Sequence, residues 1–525
     1  MFYDYPIDRD HSQTFSLVQD TEDESLLGLV DTVWNSFPEK TRGTIDPSGS
    51  NAANKKGKMH LRLVVVQLFG VWVVDHARAL NLPTSHNQLV ESVYNPKRIS
   101  PKKLRRVLKA LIDNSYVTKI NHSNPRNGNT GARTEKRIRA DKRLHDLFSN
   151  LTTTEFDLCE DLNTPLVKLN EFVVDPVTNK PAKDKQGKKI TQPKEYDTNL
   201  SHVIEMVRVL KDYNQLLRRT HIHLANIDKP YITRVEKKTG KKINVQITNS
   251  NKTVRRVFSR GAWDCYGRFH GGFWQSVGDK DTDEIPYRRH IRINNEPTVE
   301  LDYSSLHPNM IRVENDLSPA EDIYTIGYQV LDRFDQNEQR NIIKGLVLNL
   351  LNADDIDGAY SAFRRRNVTN KFGKITNDQC HKLVEAIRKL QPELADNFGK
   401  DRGVDLMFKD SQVIEQIIIL ATTNNIPVLT VHDSVICRER DEEALRSFMK
   451  IATYKILSAQ LSFDINRTSM MRTVQSTQQK DKKLFDGLYH EALEQRLQEP
   501  TTYHIRHWEK FQTYMNDNNN RLNNN

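Results

Sequence analysis

Three stretches have the residue types and spacing to do chemistry together. In the first, residues 297–309, Val299, Leu301 and Tyr303 alternate with Glu300, Asp302 and Ser304. A period of two marks a half-buried β-strand, which delivers the Asp302 carboxylate to the strand end just before Pro308 changes the backbone. In the second, residues 426–437, two apolar arms flank His432-Asp-Ser434, the pattern of a β-hairpin with a second carboxylate at its bend. In the third, residues 335–353, Asp335 and Glu338 form a capping-box-like helix start, and Arg340 and Lys344 lie one turn apart, with Leu348 and Asn352 continuing their face. Asp302 and Asp433 on adjacent strands would hold two Mg2+ ions, or Mn2+ in their place, because such ions prefer oxygen ligands and bridging phosphates. Arginine as a fork and lysine as a point charge can grip a polyphosphate. Together they predict metal-assisted phosphoryl chemistry, with an activated hydroxyl and a stabilised leaving pyrophosphate. Singly, each stretch also reads as a solvated strand end, a polar turn or an ordinary Arg/Lys pair.

The elements around these groups are legible in part. Residues 255–275 interleave arginines with aromatics, and Gly267, Gly271 and Gly272 lie close together. Glycine lets backbone approach a ligand, and arginine beside aromatic rings suits phosphate clamping and base stacking. This segment offers Arg260, Gly267 and Arg268 as nucleic-acid contacts, joined by Arg289 in the basic piece 287–293 and by His432 at the hairpin tip. An aromatic core strand with exposed arginines is the plainer reading. Residues 371–407 read as helical. Residues 410–420 read as a helix backing the hairpin, with Gln412 and Glu415 either lining a nucleic-acid groove or serving as polar positions of a core helix.

Composition narrows the partners. The chain has 525 residues and a formal net charge of +10, with a pI near 9.1, which favours a polyanion such as nucleic acid. Cys159, Cys265, Cys380 and Cys437 are far apart and lack metal-ligand spacing, so a reducing, cytoplasmic compartment is expected, with no disulfide framework and no structural zinc. The first residues do not read as a signal peptide, and the apolar run 63–74 is too short to span a bilayer and contains Gln67. A soluble protein without a membrane partner is expected.

The basic excess begins beyond an acidic arm at residues 1–57. Within 58–150, residues 59–80 read as an apolar helix and 85–94 as a second, short one. A third helix from Ser100 and Pro101 to Asn114 buries Leu104, Val107, Leu108 and Leu111 and carries Lys102, Lys103, Arg105, Arg106 and Lys109 on its other faces. A strand at 116–120, a Gly/Asn-rich loop at 121–131 and a basic strand at 133–139 containing Arg137 complete a pattern that resembles a winged helix-turn-helix. In that family the third helix enters the major groove and the wing follows the phosphates. Thirteen Lys/Arg against four Asp/Glu between residues 101 and 150 agree with this, although a solvated basic helix would look similar. Residues 151–255 read as a connecting, thumb-like region, with hairpins at 172–196 and 231–247 and a helix at 200–219 that places Ile204, Val207, Leu210 and Leu217 on one side. Beyond residue 475 the chain reads as a polar tail, and its low-complexity end, 516–525, is expected to be disordered.

Taken in order, four segments resemble the polymerase motifs of family A DNA polymerases and the related single-subunit phage RNA polymerases. Asp302-Tyr-Ser is similar to motif A; Arg340, Lys344 and Asn352-Ala353 to motif B; and Val431-His-Asp-Ser434 to motif C. Gly267-Arg-Phe-His-Gly271, with Arg289 and Arg292 beyond it, resembles the template/primer-contacting segment before motif A. The resemblance covers roughly residues 256–475. It implies an α+β right-hand fold, with an antiparallel β palm and helical fingers behind the winged-helix-like domain. By resemblance Asp302 and Asp433 are the metal ligands, with the Tyr303 carbonyl as a further one. Arg340 and Lys344, with Leu348 and Asn352, would bind the incoming nucleotide, and Lys344 would donate a proton to pyrophosphate. A DNA template and primer, with dNTPs or rNTPs, are the implied partners.

Three departures from the family pattern bear on the substrate. His307 stands five residues after Asp302, where the resemblance puts a side chain against the sugar 2′ carbon, and an imidazole there either excludes a 2′-hydroxyl or accepts its hydrogen bond. Ser434 matches the phage RNA polymerases, and Asn352 replaces the tyrosine that closes the nucleotide pocket. The 93 residues from Arg340 to Asp433 imply small fingers and modest processivity. No proofreading exonuclease is legible. The expectation is therefore a DNA polymerase without proofreading, then an RNA polymerase or primase, then a DNA-binding regulator with a degenerate palm. The pairing of domains suits replication or repair on a phage, plasmid or other mobile element.

Overall fold

In the computed structural model, which describes residues 12–46, 51–82, 92–120, 136–184, 187, 189–235, 242–278, 287–367, 375–466 and 500–523, the chain is α+β and its described residues gather around two hydrophobic cores. The N-terminal unit contains β1 (Ser12–Thr14), β2 (Gln19–Thr21), α1 (Glu24–Ser36), α2 (Glu39–Ile45), α3 (Asn51–Val74), β3 (Ala79–Leu82), α4 (Pro101–Asp113), β4 (Val117–Ile120), β5 (Lys136–Ala140) and α5 (Lys142–Ser149). Its four-stranded sheet runs β1-β3-β5-β4, with β1 parallel to β3 and the other pairs antiparallel. On α4 the predicted stripe of Leu104, Val107, Leu108 and Leu111 is buried. Ser100 stands at the N-cap position, but its side chain makes no capping bond; its backbone N–H donates instead to His60 Nε2 at 2.8 Å.

Three expectations for this unit need correction. Residues 12–45 are not an arm, because Leu26, Val30, Val33 and Trp34 of α1 and Ile45 of α2 enter the same core as α3 and α4. The first helix ends at Val74 instead of residue 80, and Ala79–Leu82 pairs as a strand. With α3 at 24 residues, the apolar run proves part of a longer helix: Lys56–Val74 is long and apolar enough to cross a membrane by length and composition, yet 67% of its most apolar window is buried inside the protein. The short helix expected at 85–94 falls mostly on residues outside those described, and Ser92–Tyr94 lie in turns. The loop at 121–131 and the start of the basic strand, 133–135, also lie outside them.

Strand β6 (Leu158–Glu160) pairs with β2 and puts Leu158 in the first core; the second body then contains β7 (Val167–Phe172), β8 (Thr191–Pro193), α6 (Ser201–Arg218), β9 (Ile222–Leu224), β10 (Tyr231–Val235), β11 (Lys242–Gln246), β12 (Val254–Phe258) and β13 (Arg268–Gly271). It continues through β14 (Ile291–Ile293), β15 (Glu296–Tyr303), α7 (Leu306–Glu314), α8 (Gln336–Leu351), α9 (Ile356–Asn367), α10 (Asn377–Leu390), α11 (Pro392–Ala395) and α12 (Gly403–Thr423). It closes with β16 (Leu429–Val431), β17 (Ser434–Arg438), α13 (Glu442–Leu457), β18 (Phe463–Asn466) and α14 (Thr502–Asn523). A six-stranded antiparallel sheet runs β16-β17-β15-β14-β9, with β18 sharing the β14 edge of β15. The alternation read at residues 299–304 explains why β15 is central. Val299, Leu301 and Tyr303 are buried, and burial of such a side chain is worth about 1.5–3 kcal/mol. Helices α6, α7 and α13 and strand β13 pack against the long apolar helix α12.

The boundary expected between residues 255 and 256 does not exist, since β12 runs through it and β9 belongs to the same sheet as β15. On α6 the buried side is Val203, Met206, Val209, Leu210, Tyr213 and Leu217, whereas Ile204 is 55% exposed. The expected disordered tail is instead α14 over its described residues, and His504, His507 and Phe511 of this helix are buried.

Candidate active site

The register of the central sheet brings the acids together. Asp302, next to last in β15, lies opposite Ser434 of β17 on one side and Asp464 of β18 on the other. His432 and Asp433 form the two-residue turn between β16 and β17, with Val431 paired to Ser434. Such a short hairpin needs left-handed backbone, and His432 supplies it at φ +57°. The Asp302 carboxyl is pushed up to about 7 by burial first, then by the negative charges of Asp433, Glu300 and Asp464, while Lys344 works in the opposite direction. Glu300 is held on the neighbouring side: Ser434 Oγ lies 2.5 Å from its Oε1 and Arg288 Nη1 3.3 Å away. The side chain of Tyr303 points into the core, where its hydroxyl donates to the Met449 carbonyl at 2.8 Å, so only its backbone is available at the strand end.

This donor set fits a hard divalent ion. A carboxyl whose pKa is raised by burial and by crowding acids, as at Asp302, is relieved by a cation, and every donor is oxygen. Among the described residues no group of three or more His, Cys, Asp or Glu has the spacing to hold a metal by itself. Ions here would therefore need further oxygens from backbone, water and substrate phosphate, the usual habit of Mg2+.

Beside the acids lies a buried trio. Arg268 of β13 donates from Nε to both carboxylate oxygens of Asp410, at 3.2 and 3.1 Å, and from Nη2 to Oδ2. His307, in the first turn of α7, places Nε2 2.8 Å from Asp410 Oδ2 and 3.4 Å from Arg268 Nη2. Asp410 is 0% exposed and His307 9%. Arg268 also acts electrostatically on Asp433, so the trio borders the turn. Burial, His432 and Arg268 push His270 down to about 4, and the Tyr266 hydroxyl lies 2.9 Å from its Nε2.

Helix α8 begins with the predicted capping box, both reciprocal bonds between Asp335 and Glu338 being formed. Arg340, Lys344, Leu348 and Asn352 then repeat every four residues along its more accessible face. Beneath the two cations lies Tyr324, whose ring centre is 5.9 Å from the Arg340 guanidinium and 5.9 Å from the Lys344 ammonium. Burial pushes its phenol up to about 12, with Asp433 and Asp322 adding to the shift, whereas Ser305 and Arg340 oppose it. Asp322 Oδ2 accepts from Arg340 Nε at 2.8 Å. At the other end of the face, Asn352 Nδ2 donates to the Leu348 carbonyl at 2.7 Å.

The residues expected to touch nucleic acid have varied surroundings. Gly267 is a packing glycine: at φ +63° an added Cβ would stand 2.7 Å from Ser411 Oγ of α12, and its carbonyl accepts from Arg256 Nε at 2.9 Å. Arg268 is turned onto Asp410 as described. Arg260 pairs with Asp401 at 2.6 Å, Arg289 lies in the turn Tyr287–His290 before β14, and His432 is exposed at the hairpin tip. In the N-terminal unit Lys102 and Lys109 are exposed, Lys109 bonding Asp113 at 2.7 Å; Arg105, Arg106 and Arg137 are half-buried, and Lys103 is bonded to the buried Asp46. On α12 Glu415 pairs with the buried Arg256.

Asp464, Asp410, Tyr324 and Asp322 were not singled out in the sequence. Asp464 had a signal, the alternation of Phe463 and Ile465 with Asp464 and Asn466. Asp410 had another, as an acid on the stripe of Leu406, Val413, Ile414 and Ile417. Tyr324 and Asp322 lie in an irregular segment with no period to betray them.

The sequence matches no family model and no curated protein. Among solved structures it is similar to the POL domain of Pol1 from M. smegmatis in complex with DNA primer-template and dNTP, at 11% sequence identity and a TM-score of 0.29. The likeness covers 56% of this chain and 58% of that one, so this chain spans less than two thirds of that polymerase chain. A TM-score of that size carries nothing about activity, which has to be read from the residues themselves.

Proposed function

We propose that the chain is a template-directed nucleotidyltransferase, most simply a DNA polymerase. The observation that carries this reading is the convergence of Asp302 and Asp433 at the ends of adjacent antiparallel strands, with Lys344 of α8 near enough to oppose the rise in the Asp302 pKa. Bound Mg2+ would supply an activated hydroxyl and charge neutralisation for the departing pyrophosphate. Asp302, Asp433 and the Tyr303 carbonyl would hold it. Arg340 and Lys344 orient the triphosphate, and Lys344 can hand a proton to pyrophosphate. The anchoring of His307 Nε2 by Asp410 favours the steric role of the imidazole, and with it deoxyribonucleotides.

In the N-terminal unit, α4 with its outward cations and the antiparallel pair β4–β5 support a winged-helix reading and a duplex partner. An RNA polymerase or primase is the second reading, and Ser434 in the turn sequence favours it. A regulator with a degenerate palm is the third; the survival of both aspartates and both cations speaks against it.

One experiment separates them: primed and unprimed DNA templates with Mg2+ and either dNTPs or rNTPs. Primed extension with dNTPs alone supports the first reading, and unprimed product from rNTPs the second. Duplex binding without any incorporation leaves the third. Asp302→Asn or Asp433→Asn abolishes synthesis while duplex binding stays within about twofold; retained synthesis would remove these residues from the metal site. His307→Gly lowers the preference for dNTP over rNTP, and an unchanged ratio would remove His307 as the gate.

A further inference from the structure

Arg340 already has an anionic partner. Asp322, in the segment between α7 and α8, accepts its Nε at 2.8 Å, and the two side chains are each about one-third exposed, 34% and 35%. The carboxylate is set for this task by its own neighbours. Its Oδ1 accepts the Tyr324 backbone N–H at 3.1 Å, and its Oδ2 accepts the Thr325 hydroxyl at 2.5 Å. Tyr324, two residues further on, supplies the ring over which both Arg340 and Lys344 stand. Its phenol is hydrogen-bonded to Ser305 and lies within the electrostatic reach of Asp433. A ligand running from Asp302 and Asp433 to the two cations would therefore pass Tyr324 and meet Asp322 on the arginine.

We propose that Asp322 stands in for a phosphate on Arg340, so that an incoming triphosphate must displace it, with Tyr324 forming the floor of the subsite it enters. This rests on the polymerase reading and adds to it a built-in competitor that weakens nucleotide binding. An arginine takes carboxylate and phosphate with the same fork geometry, which is why one can replace the other. The exchange is reversible, because an exposed ion pair of this kind is weak and the arginine is never deprotonated. Lys344, which makes no such pair with Asp322, stays open to the substrate throughout.

The test is equilibrium binding of a non-hydrolysable α,β-methylene dNTP, with Mg2+ and primed template, by wild type and by Asp322→Asn. Asparagine keeps an oxygen for the Tyr324 N–H, turns its amide nitrogen to donate to the Thr325 hydroxyl oxygen and removes the charge, so the fold is retained; a thermal melt checks this. The expected result is binding about two- to fivefold tighter in Asp322→Asn, the span set by exposed ion pairs, with the gain shrinking as KCl is raised. In turnover, KM falls and kcat does not. Arg340→Gln weakens binding, and adding Asp322→Asn to it gives no recovery. Equal or weaker binding by Asp322→Asn, where wild type binds, overturns the competitor and leaves the polymerase reading standing. If neither protein binds the nucleotide, the polymerase reading fails and the competitor with it.

Discussion

On the buried stripe of α12, Leu406, Val413, Ile414 and Ile417 are the neighbours of Asp410, an acid with no exposure at all. A carboxylate survives there because Arg268 meets it with a fork and His307 with a further hydrogen bond. Its loss would strand a guanidinium that is only 13% exposed. Asp410→Ala is therefore expected to destabilise the protein by about 3–5 kcal/mol, the range for breaking a buried pair, and Asp410→Asn by clearly less. Urea unfolding reads this directly, and a loss below about 1 kcal/mol in the alanine variant would mean that Arg268 finds water or another partner. Asp302 and Asp433 were legible because strand alternation and a polar bend in an apolar hairpin are local patterns. The partner of Asp410 was not, since Arg268 lies 142 residues away and no local period connects them. Glycine misled for a related reason: Gly267 suggested room for a ligand, whereas the space beside it is taken by Ser411 and Phe408.

Whole elements were readable where one face is clean. Helix α4, the capping box of α8 and the β16–β17 hairpin fall close to where periodicity and caps put them. Helices α1 and α14 escaped because acidic or polar runs dilute their apolar stripes, and their packing comes from distant chain. The docking of α14 has an unusual chemistry that makes it testable. His507 Nδ1 lies 2.8 Å from His221 Nε2, and His504 Nδ1 lies 2.9 Å from His223 Nδ1 of β9, while His504 Nε2 reaches Asn295 Oδ1 at 2.9 Å. Burial, then neighbouring positive charge, pushes His504 down to about 4 and His507 to about 3, with His221 and His223 also well below the ordinary value. Lys252, pushed down to about 7 by burial and Arg218, and Glu155, pushed up to about 7 mainly by burial, face the same cluster, together with Arg292 and Lys510. Lowered histidine pKa values favour the neutral folded form, so their stabilisation is complete above about 6.5 and is lost as pH falls toward 4. Glu155 has the opposite sign, gaining on acidification, but it is one group against four. Cleavage by an acid-tolerant protease within α14 should therefore rise between pH 6.5 and 4.5, relative to a free peptide of the same sequence. A flat ratio over that window would show that the histidine pairs do not control docking.

For the molecule as a whole, the net charge of +10 pointed to a polyanion, and the structure supplies a concrete surface on which to test it. Helix α4 buries its leucines against α3, leaving Lys102 and Lys109 exposed and Arg106 half-buried, while Lys103 is committed to Asp46. These two classes of cation should behave differently. Each phosphate neutralised on duplex DNA contributes about 0.9 to the slope of log binding constant against log salt. Replacing Lys102, Arg106 and Lys109 together with glutamine should flatten that slope by up to about 2.7 and weaken duplex binding at low salt, without regard to DNA sequence. Lys103→Gln should leave the slope nearly unchanged and instead lower stability, because it abandons a buried carboxylate. Incorporation on a saturating primed template should survive both changes, since neither reaches Asp302, Asp433 or α8. If the triple variant keeps the wild-type slope, the duplex does not lie along α4, and the basic face is a solvated surface of the N-terminal unit.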